Sequence, residues 1–303
     1  VPAGLAVDVT YDGSFTAPTN SGTYAVTGTV NDVNYDGTTT DTLGVSNASA
    51  TVTLGDLAQT FDGTDRIATA TTVPAGLVVE LTYDGSVVAP TNAGGYAVTG
   101  TVNDVNYDGS ATETLVVSKA SATVTLGDLA QTFDGSDRIA SATTVPVGLV
   151  VDVTYDGSST VPTNAGSYAV TGTVNDVNYD GSAADTLVVA KGSATVTLGD
   201  LAQTFDGTDR IATATTVPAG LTVDLTYDGS AAAPTNSGSF VVTGVVNDVN
   251  YDGSAVDTLV VSKASATVTL GDLAQTFDET DRIVTAVTVP AGLAVDLTYD
   301  GSA

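Results

Sequence analysis

A sequence motif repeats along this chain at a fixed interval of 72 residues. The string TVTLGDLAQTF begins at Thr51 and returns unchanged at Thr123, Thr195 and Thr267. A Val-Pro pair recurs with the same interval. The 303 residues therefore hold four periods and 15 further residues. Such a period indicates repeated structural units. The number of repeats is therefore a better guide to the number of domains than chain length, which alone would suggest two.

The size of the unit limits how stable one copy can be. A domain of this size buries only about 60% of the surface that its unfolded chain exposes. We therefore expect each copy to be modestly stable alone and to gain some stability from its neighbours in the array.

Within each unit, apolar and polar residues alternate over short stretches. In Leu77–Tyr83 the odd-numbered residues are apolar or aromatic and fall on one face of a strand, and Tyr96–Val102 alternates in the same way. Val and Thr are abundant, whereas Gly, Asp and Asn stand at the breaks, as short strands with tight turns require. No stretch has helical spacing. The pattern predicts an all-β fold with six or seven strands per unit, most simply a small Ig-like β-sandwich.

The best boundary between units is the segment Ser118–Ser121, which carries Lys119 and has equivalents one period apart. It joins two predicted strands with little Gly or Pro, so we expect short, stiff junctions and units arranged end to end as an elongated rod. The predicted domains are 1–48 (a partial unit), 49–120, 121–192, 193–264 and 265–303 (a second partial unit).

The two partial units are complementary, because residues 1–48 correspond to the last part of a unit and residues 265–303 to the first part. One interpretation is that the sequence is a window from a longer array. The other is that successive chains complete each other by strand exchange and form a fibre. The predicted partners are thus neighbouring copies of the same unit and, on the second interpretation, other copies of the chain.

Composition excludes several functions. The chain has no Cys and no His, and its 35 acidic residues face seven basic ones, for a formal charge of −28. A nucleic-acid partner is not expected, because phosphate binding needs clustered Lys and Arg. No apolar run approaches the ~20 residues of a membrane span, so we expect no direct membrane insertion. Without His or Cys the usual nucleophile–base pairs cannot form, and we predict that the chain is not an enzyme.

Several strings in each unit resemble a known bacterial family. They are A-T-V-T-L-x-x-L-x-Q-T-F-D-G, V-P-A-G-L, L-T-Y-D-G-S, A-P-T-N-A-G-x-Y-x-V-T-G-T-V-N-D-x-N-Y-x-G and T-L-V-V. Together they are similar to the MBG-type Ig-like repeat and cover nearly the whole chain. Phe61 stands where a Tyr is expected, and the turns are unusually acidic. The resemblance implies tandem stalks of secreted and cell-surface proteins, including adhesins, and it carries over no catalytic residue.

The motif Asp104-Val105-Asn106-Tyr107-Asp108-Gly109 matches the opening of a calcium-binding loop, in which alternate oxygens converge on the ion. The match then fails, because the twelfth position is Leu115 instead of a bidentate Glu. The alternative is a hairpin turn in which Asp and Asn accept main-chain hydrogen bonds. The candidate ligands in the four copies are Asp32, Asn34, Asp36, Asp104, Asn106, Asp108, Asp176, Asn178, Asp180, Asp248, Asn250 and Asp252.

The order of the strands indicates a second possible calcium site, at the junction between two units. If the strands run alternately up and down, Asp62, Asp65 and Asp84 lie at the end where the chain leaves a unit, and Asp104 and Asp108 lie at the end where it enters. Carboxylates of successive units would then meet at a junction, where Ca²⁺ is a suitable counter-ion for oxygen ligands. We predict that no cofactor is required and that Ca²⁺ at the junctions is an open alternative.

These observations predict a structural stalk or spacer in an extracellular or cell-surface protein of the adhesin-like or fibre-forming kind. The alternative is a binding array that multiplies weak contacts to a ligand such as a surface glycan. The repeated, identical placement of acidic residues fits a spacer better than a single active site. The variable patch at Val87–Ala89 drifts between small and apolar residues without forming an aromatic site.

Overall fold

The computed structural model describes residues 3–300. These residues form 29 β-strands and no helix, so no helix in the described chain is long and apolar enough to cross a membrane. The all-β prediction is confirmed. The chain divides into two compact units, and the third repeat contributes residues to both. The first unit comprises Val1–Gly127, Ala140–Thr160 and Ala169–Asp185, and the second comprises Asp128–Ile139, Val161–Tyr168 and Thr186–Ala303.

The first compact unit contains the first repeat and the complete second repeat. The strands of the first repeat are β1 (Val7–Tyr11), β2 (Gly22–Val30) and β3 (Thr38–Val45). Those that follow are β4 (Ala48–Ser49), β5 (Thr51–Gly55), β6 (Ala58–Thr60), β7 (Thr69–Val73), β8 (Val79–Tyr83), β9 (Gly94–Val102), β10 (Tyr107–Asp108) and β11 (Ser110–Ser118).

The third repeat has the same succession of strands. They are β12 (Ala120–Ser121), β13 (Thr123–Gly127), β14 (Ala130–Thr132), β15 (Ser141–Val145), β16 (Val151–Tyr155), β17 (Gly166–Val174), β18 (Tyr179–Asp180) and β19 (Ser182–Ala190).

The second compact unit contains the fourth and fifth repeats. The strands of the fourth are β20 (Gly192–Ser193), β21 (Thr195–Gly199), β22 (Ala202–Thr204), β23 (Thr213–Val217), β24 (Val223–Tyr227), β25 (Gly238–Val246), β26 (Tyr251–Asp252) and β27 (Ser254–Ser262). The fifth contributes β28 (Thr267–Gly271) and β29 (Thr285–Val289).

The second repeat is a two-layer sandwich. One layer is the antiparallel pair β5–β7, and the other is a four-stranded sheet in the order β6-β11-β9-β8. In that sheet β6 runs parallel to β11, while β9 is antiparallel to both β11 and β8. A short parallel pair, β4–β10, lies where the chain enters the repeat. The fourth repeat has the same arrangement, so the Ig-like sandwich prediction is also confirmed.

The core of the second repeat lies between its two layers. Val52 of β5 packs with Val98 of β9 and Leu115 of β11, and the last two side chains are fully buried. The alternation predicted for Leu77–Tyr83 holds, because Tyr83 is 5% exposed and the intervening Val78 is 67% exposed.

A tyrosine hydroxyl joins the core to the loop that precedes β7. The main-chain N–H of Ala68 donates to Oη of Tyr83 over 3.0 Å, and Ala68 is itself buried. The same bond recurs between Ala140 and Tyr155 and between Ala212 and Tyr227. An unpaired buried N–H is unfavourable by about 1–3 kcal/mol, so this hydroxyl contributes to the stability of every repeat that contains it.

Candidate functional site

The junction between the second and third repeats and the one between the third and fourth are short and hydrogen-bonded on both sides. Strand β11 ends at Ser118 and β12 begins at Ala120, so Lys119 alone separates them. The carbonyl of Ser118 accepts a hydrogen bond from Phe61 of the second repeat, whereas the N–H of Ala120 donates to the carbonyl of Asn178 in the third. The chain therefore passes from one repeat to the next without a free linker.

In the second, third and fourth repeats, an asparagine side chain near the start of the repeat forms hydrogen bonds to the repeat before it. Oδ1 of Asn178 accepts a hydrogen bond from the N–H of Ala93 (2.8 Å), and its Nδ2 donates to Oδ1 of Asn92 (3.1 Å). We call this pair of bonds the asparagine clasp. The equivalent clasps join Asn106 to Ser21 and Asn20, and Asn250 to Ala165 and Asn164.

The clasp asparagine is held in place by the aspartate two residues earlier. Oδ1 of Asp176 accepts hydrogen bonds from the N–H groups of Asn178 (2.7 Å) and Tyr179 (3.0 Å). Its carbonyl accepts a further bond from Nζ of Lys119 in the segment that joins the repeats (2.5 Å). Lys191 and Asp248 repeat this contact one period later. The turn is thus fixed locally and tied to the linking segment.

Two aromatic rings, one from each repeat, also pack against each other across this junction. The ring of Phe61 meets the ring of Tyr179 edge to face, with centroids 5.3 Å apart, and Phe133 and Tyr251 repeat the pair at 5.2 Å. Edge-to-face pairs contribute about 0.5–1.5 kcal/mol beyond the area they bury. Sequence reasoning noted Phe61 as a departure from the expected Tyr and did not foresee that its ring would pack against the next repeat.

The family comparison agrees with this repeated arrangement. A family model described as the MBG domain matches residues 1–49, 50–121, 122–193, 194–265 and 266–303. The chain belongs to the MBG domain family. The resemblance deduced from the sequence is therefore confirmed over the whole chain.

Solved structures with some likeness to this MBG chain are tandem-domain proteins. Drosophila N-cadherin EC1-4 is 13% identical, with 82% of this chain and 85% of that one covered and a TM-score of 0.26. Sidekick-1 immunoglobulin domains 1-5 are also 13% identical, with 86% and 75% covered and a TM-score of 0.31. The eight N-terminal Ig domains of Down Syndrome Cell Adhesion Molecule are 12% identical, with 88% and 54% covered and a TM-score of 0.20. No curated protein matched the chain significantly.

The motifs predicted as turns or calcium loops lie at the entry end of each MBG repeat. The first Asp accepts main-chain hydrogen bonds, as Asp32, Asp104, Asp176 and Asp248 all do. The Asn forms the clasp in the second, third and fourth repeats. Asp108, Asp180 and Asp252 each lie in the short parallel strand pair of their repeat. Within residues 3–300, no three acidic side chains group closely enough to hold a metal ion, and calcium stays a prediction.

Two of the three acidic residues predicted at the exit end, Asp62 and Asp84, have partners inside their own repeat. Asp62 pairs with Arg66, and Oδ1 of Asp84 accepts a hydrogen bond from the N–H of Ala97 (2.9 Å). The structure brings groups from the exit end of one repeat and the entry end of the next together, although β6 runs parallel to β11 and the strands do not simply alternate up and down. The contacts that it shows there are made by asparagine, lysine, aromatic and main-chain groups.

One ion pair recurs in the loop before β7 and its equivalents. Arg138 pairs with Asp134, and the carboxylate also accepts hydrogen bonds from the hydroxyl and N–H of Ser136. The bond from Arg138, followed by those from Ser136, lowers the pKa of Asp134 from its ordinary 3.8 to about 2. At Asp62 the bonds from Thr64 are the leading cause of a lowered pKa.

Because the pKa of Asp134 is lowered in the folded chain, we expect a small loss of folding stability in acid. A carboxylate with a lowered folded-state pKa stabilises the fold above its ordinary pKa of 3.8, and that contribution disappears as the pH falls towards about 2. Asp134→Asn should therefore flatten the dependence of the thermal midpoint on pH in this window. The effect should be small because the carboxylate is exposed. Thermal melts between these pH values measure it.

The control for the acid melts is Asp137→Asn, which removes a nearby negative charge but leaves the Asp134–Arg138 pair. We expect this variant to keep the pH dependence of the native chain. An identical slope for native chain and Asp134→Asn would contradict the stabilising role of the pair.

Proposed function

We propose that this chain is a structural spacer segment of a cell-surface or secreted bacterial protein of the adhesin-like or fibre-forming kind. The observation that carries the proposal is the recurrence of one junction: the asparagine clasp occurs at three successive junctions with hydrogen bonds of the same lengths. A spacer needs the same connection between each pair of successive domains. A protein with a single active site has no such need.

The chemistry of the side chains supports a role without catalysis. The chain has no His or Cys. Where the pKa of a carboxyl group is shifted, local hydrogen bonds and ion pairs lower it. A general acid needs a raised carboxyl pKa instead. The lowered values belong to exposed loop residues that recur in successive repeats, as expected for structural ion pairs.

The charge of the chain supports a location outside the cell in contact with water. A formal charge of −28 keeps neighbouring chains soluble and mutually repelling. Membership of the MBG family agrees with the stalk role in secreted and surface proteins that the sequence resemblance implied. Extracellular location is part of the proposal.

The spacer role is tested by removing the three clasps together with Asn106→Ala, Asn178→Ala and Asn250→Ala. The chain is tethered to a surface at one end and carries a dye at the other, and the height of the dye is recorded over time. Each lost hydrogen bond contributes about 1 kcal/mol. We expect the native chain to hold the dye in a narrow range of heights and the triple variant to give a clearly broader range with unchanged circular dichroism.

The chain offers a matched control with the same substitution at three other asparagines. Asn31, Asn175 and Asn247 each donate to an aspartate within their own repeat. Their joint replacement with alanine should leave the height distribution native. Equal distributions for native chain and clasp variant would contradict the spacer proposal, and specific binding of the native chain on a glycan array would favour a ligand-binding array.

A further inference from the structure

The strand by which the chain leaves the second repeat is bonded to a strand near its entry. Strand β6 runs parallel to the end of β11 over three residue pairs. The N–H of Val116 donates to the carbonyl of Leu57 (2.8 Å), and the N–H of Phe61 donates to the carbonyl of Ser118 (2.9 Å). Because β6 follows the entry of the chain and β11 is its exit, a pull along the chain acts on this pair of strands from both sides.

The direction of the two strands decides how such a pull loads their hydrogen bonds. Tension along the chain reaches β6 from its N-terminal end, at Leu57, and reaches β11 from its C-terminal end, at Ser118. Because the strands are parallel, these are opposite ends of the pair, so the pull slides the strands past each other and loads all their bonds together. In an antiparallel pair the same two ends lie side by side, and the bonds break one after another.

The same parallel pair occurs in the third and fourth repeats. Strand β14 pairs with β19, and β22 pairs with β27, each over three residue pairs. The N–H of Phe133 donates to the carbonyl of Ala190, and the N–H of Phe205 donates to the carbonyl of Ser262, both over 2.8 Å. We call each of these parallel pairs, β6–β11, β14–β19 and β22–β27, the exit pair of its repeat.

The exit pair of the second repeat touches the third repeat through an aromatic ring. Phe61, whose N–H forms the bond to Ser118, places its ring edge to face on the ring of Tyr179, with centroids 5.3 Å apart. Phe133 and Tyr251 repeat this arrangement at the exit pair of the third repeat. Sliding of β6 along β11 has to draw Phe61 away from Tyr179, so the aromatic contact has to break together with the hydrogen bonds.

Tyr179 is fixed to the segment through which the load leaves the second repeat. Only Lys119 separates β11 from β12, and β12 pairs in parallel with β18, the strand that contains Tyr179. The N–H of Ala120 donates to the carbonyl of Asn178, the residue before this tyrosine (2.8 Å). The tyrosine therefore keeps its place beside the end of β11 when the linking segment is under tension.

We propose that this chain bears tension along its length, and that the exit pairs of the second and third repeats are reinforced by the tyrosine of the repeat that follows. The exit pair resists sliding, and the ring of the next repeat adds a contact that sliding has to break. Resistance to a pull then belongs to two neighbouring repeats jointly. The inference goes beyond the spacer function, since a junction can keep its geometry without resisting a strong pull, and either proposal can fail alone.

Pulling one folded repeat in two directions tests the load-bearing role of the exit pair. The chain has no Cys, so introduced cysteines can carry the handles of an optical trap at chosen positions. Ser118→Cys marks the end of β11, Ser49→Cys marks the entry of the repeat, and Asp65→Cys marks the loop after β6; all three side chains are exposed. Handles at 49 and 118 slide the exit pair, whereas handles at 65 and 118 peel it open.

We expect the rupture force to be about twofold higher, or more, for handles at 49 and 118, because forced unfolding follows the height of the unfolding barrier. The two handle pairs pull on the same fold, so a difference in stability does not explain a difference in force. Equal rupture forces in the two directions would overturn the proposal that the exit pair carries the load.

The contribution of the following repeat is tested with the handles at 49 and 118. Tyr179→Ala should lower the rupture force of the second repeat, and Tyr179→Phe should keep it because the ring remains. The matched control is Tyr251→Ala, the same substitution one junction later, where the ring meets Phe133 of the third repeat. It should leave the force of the second repeat native.

Circular dichroism of each variant separates a lost contact from lost folding. The reinforcement is overturned if Tyr179→Ala ruptures at the force of the native chain. It is also overturned if Tyr251→Ala weakens the second repeat as much as Tyr179→Ala does, because the effect then does not depend on the contact with Phe61.

Discussion

Leu115→Ala is expected to lower the free energy of unfolding of the second repeat by about 2–5 kcal/mol. Leu115 is fully buried between the two layers and packs in the same cluster as Val52 and Val98. Truncation removes its transfer free energy and leaves a cavity that a close-packed core fills only in part. In a repeat of this size, such a loss is a large fraction of the total stability.

Hydrogen exchange resolved by repeat measures this effect, because amides of β9 and β11 should lose protection while those of the fourth repeat keep it. The control is Val116→Ala on the same strand, where the side chain is 50% exposed on the outer face and should matter little. Equal protection in the native chain and the Leu115 variant would show that the core tolerates the cavity and contradict the predicted packing.

Gly109→Ala is expected to disrupt the entry end of the second repeat. A Cβ at this position would lie 2.1 Å from the main-chain oxygen of Ala50, which cannot rotate away as a side chain can. The carbonyl of Gly109 also accepts a hydrogen bond from Val102. Overpacking of this kind costs typically about 1–3 kcal/mol, and the strand pair β4–β10 has to separate to relieve it.

The consequence should reach the junction, because Asn106 lies just before the displaced strand. We expect a lower thermal midpoint and the loss of hydrogen-exchange protection at the N–H of Ser21, which Asn106 holds. The control is Gly95→Ala, where an added Cβ would meet only Cγ2 of Thr114 at an ordinary 3.9 Å. If both variants melt together with the native chain, the close approach at Gly109 is not a constraint on the fold.

The fold could be predicted from the sequence because local signals agreed with each other. Alternation over Leu77–Tyr83 fixed which side chains enter the core, and Gly and Asp marked the turns. The start of a strand is harder to predict: no Gly or Pro separates Arg66 from Val73, yet β7 begins only at Thr69. The carbonyl of Ile67 accepts a bond from the Gln59 side chain, so residues before Thr69 follow the loop.

The candidate site could be located from the sequence, but its chemistry could not be chosen. The oxygens of Asp104 and Asn106 suit a cation and a turn equally well, and the deciding partner of an asparagine such as Asn178 lies 85 residues earlier in the chain. The aromatic contact between Phe61 and Tyr179 joins residues that are still further apart in the chain. A pattern within one repeat does not show which groups of the preceding repeat will face it.

The asparagine clasp also bears on how genes for such proteins can change. Each complete repeat encodes both sides of the contact, the asparagine at its entry end and its acceptors at its exit end. Loss or gain of a whole number of 72-codon units by recombination between copies therefore joins two surfaces that already fit. Natural variants should differ in length by whole units, while insertions of other sizes would leave an asparagine without its acceptor.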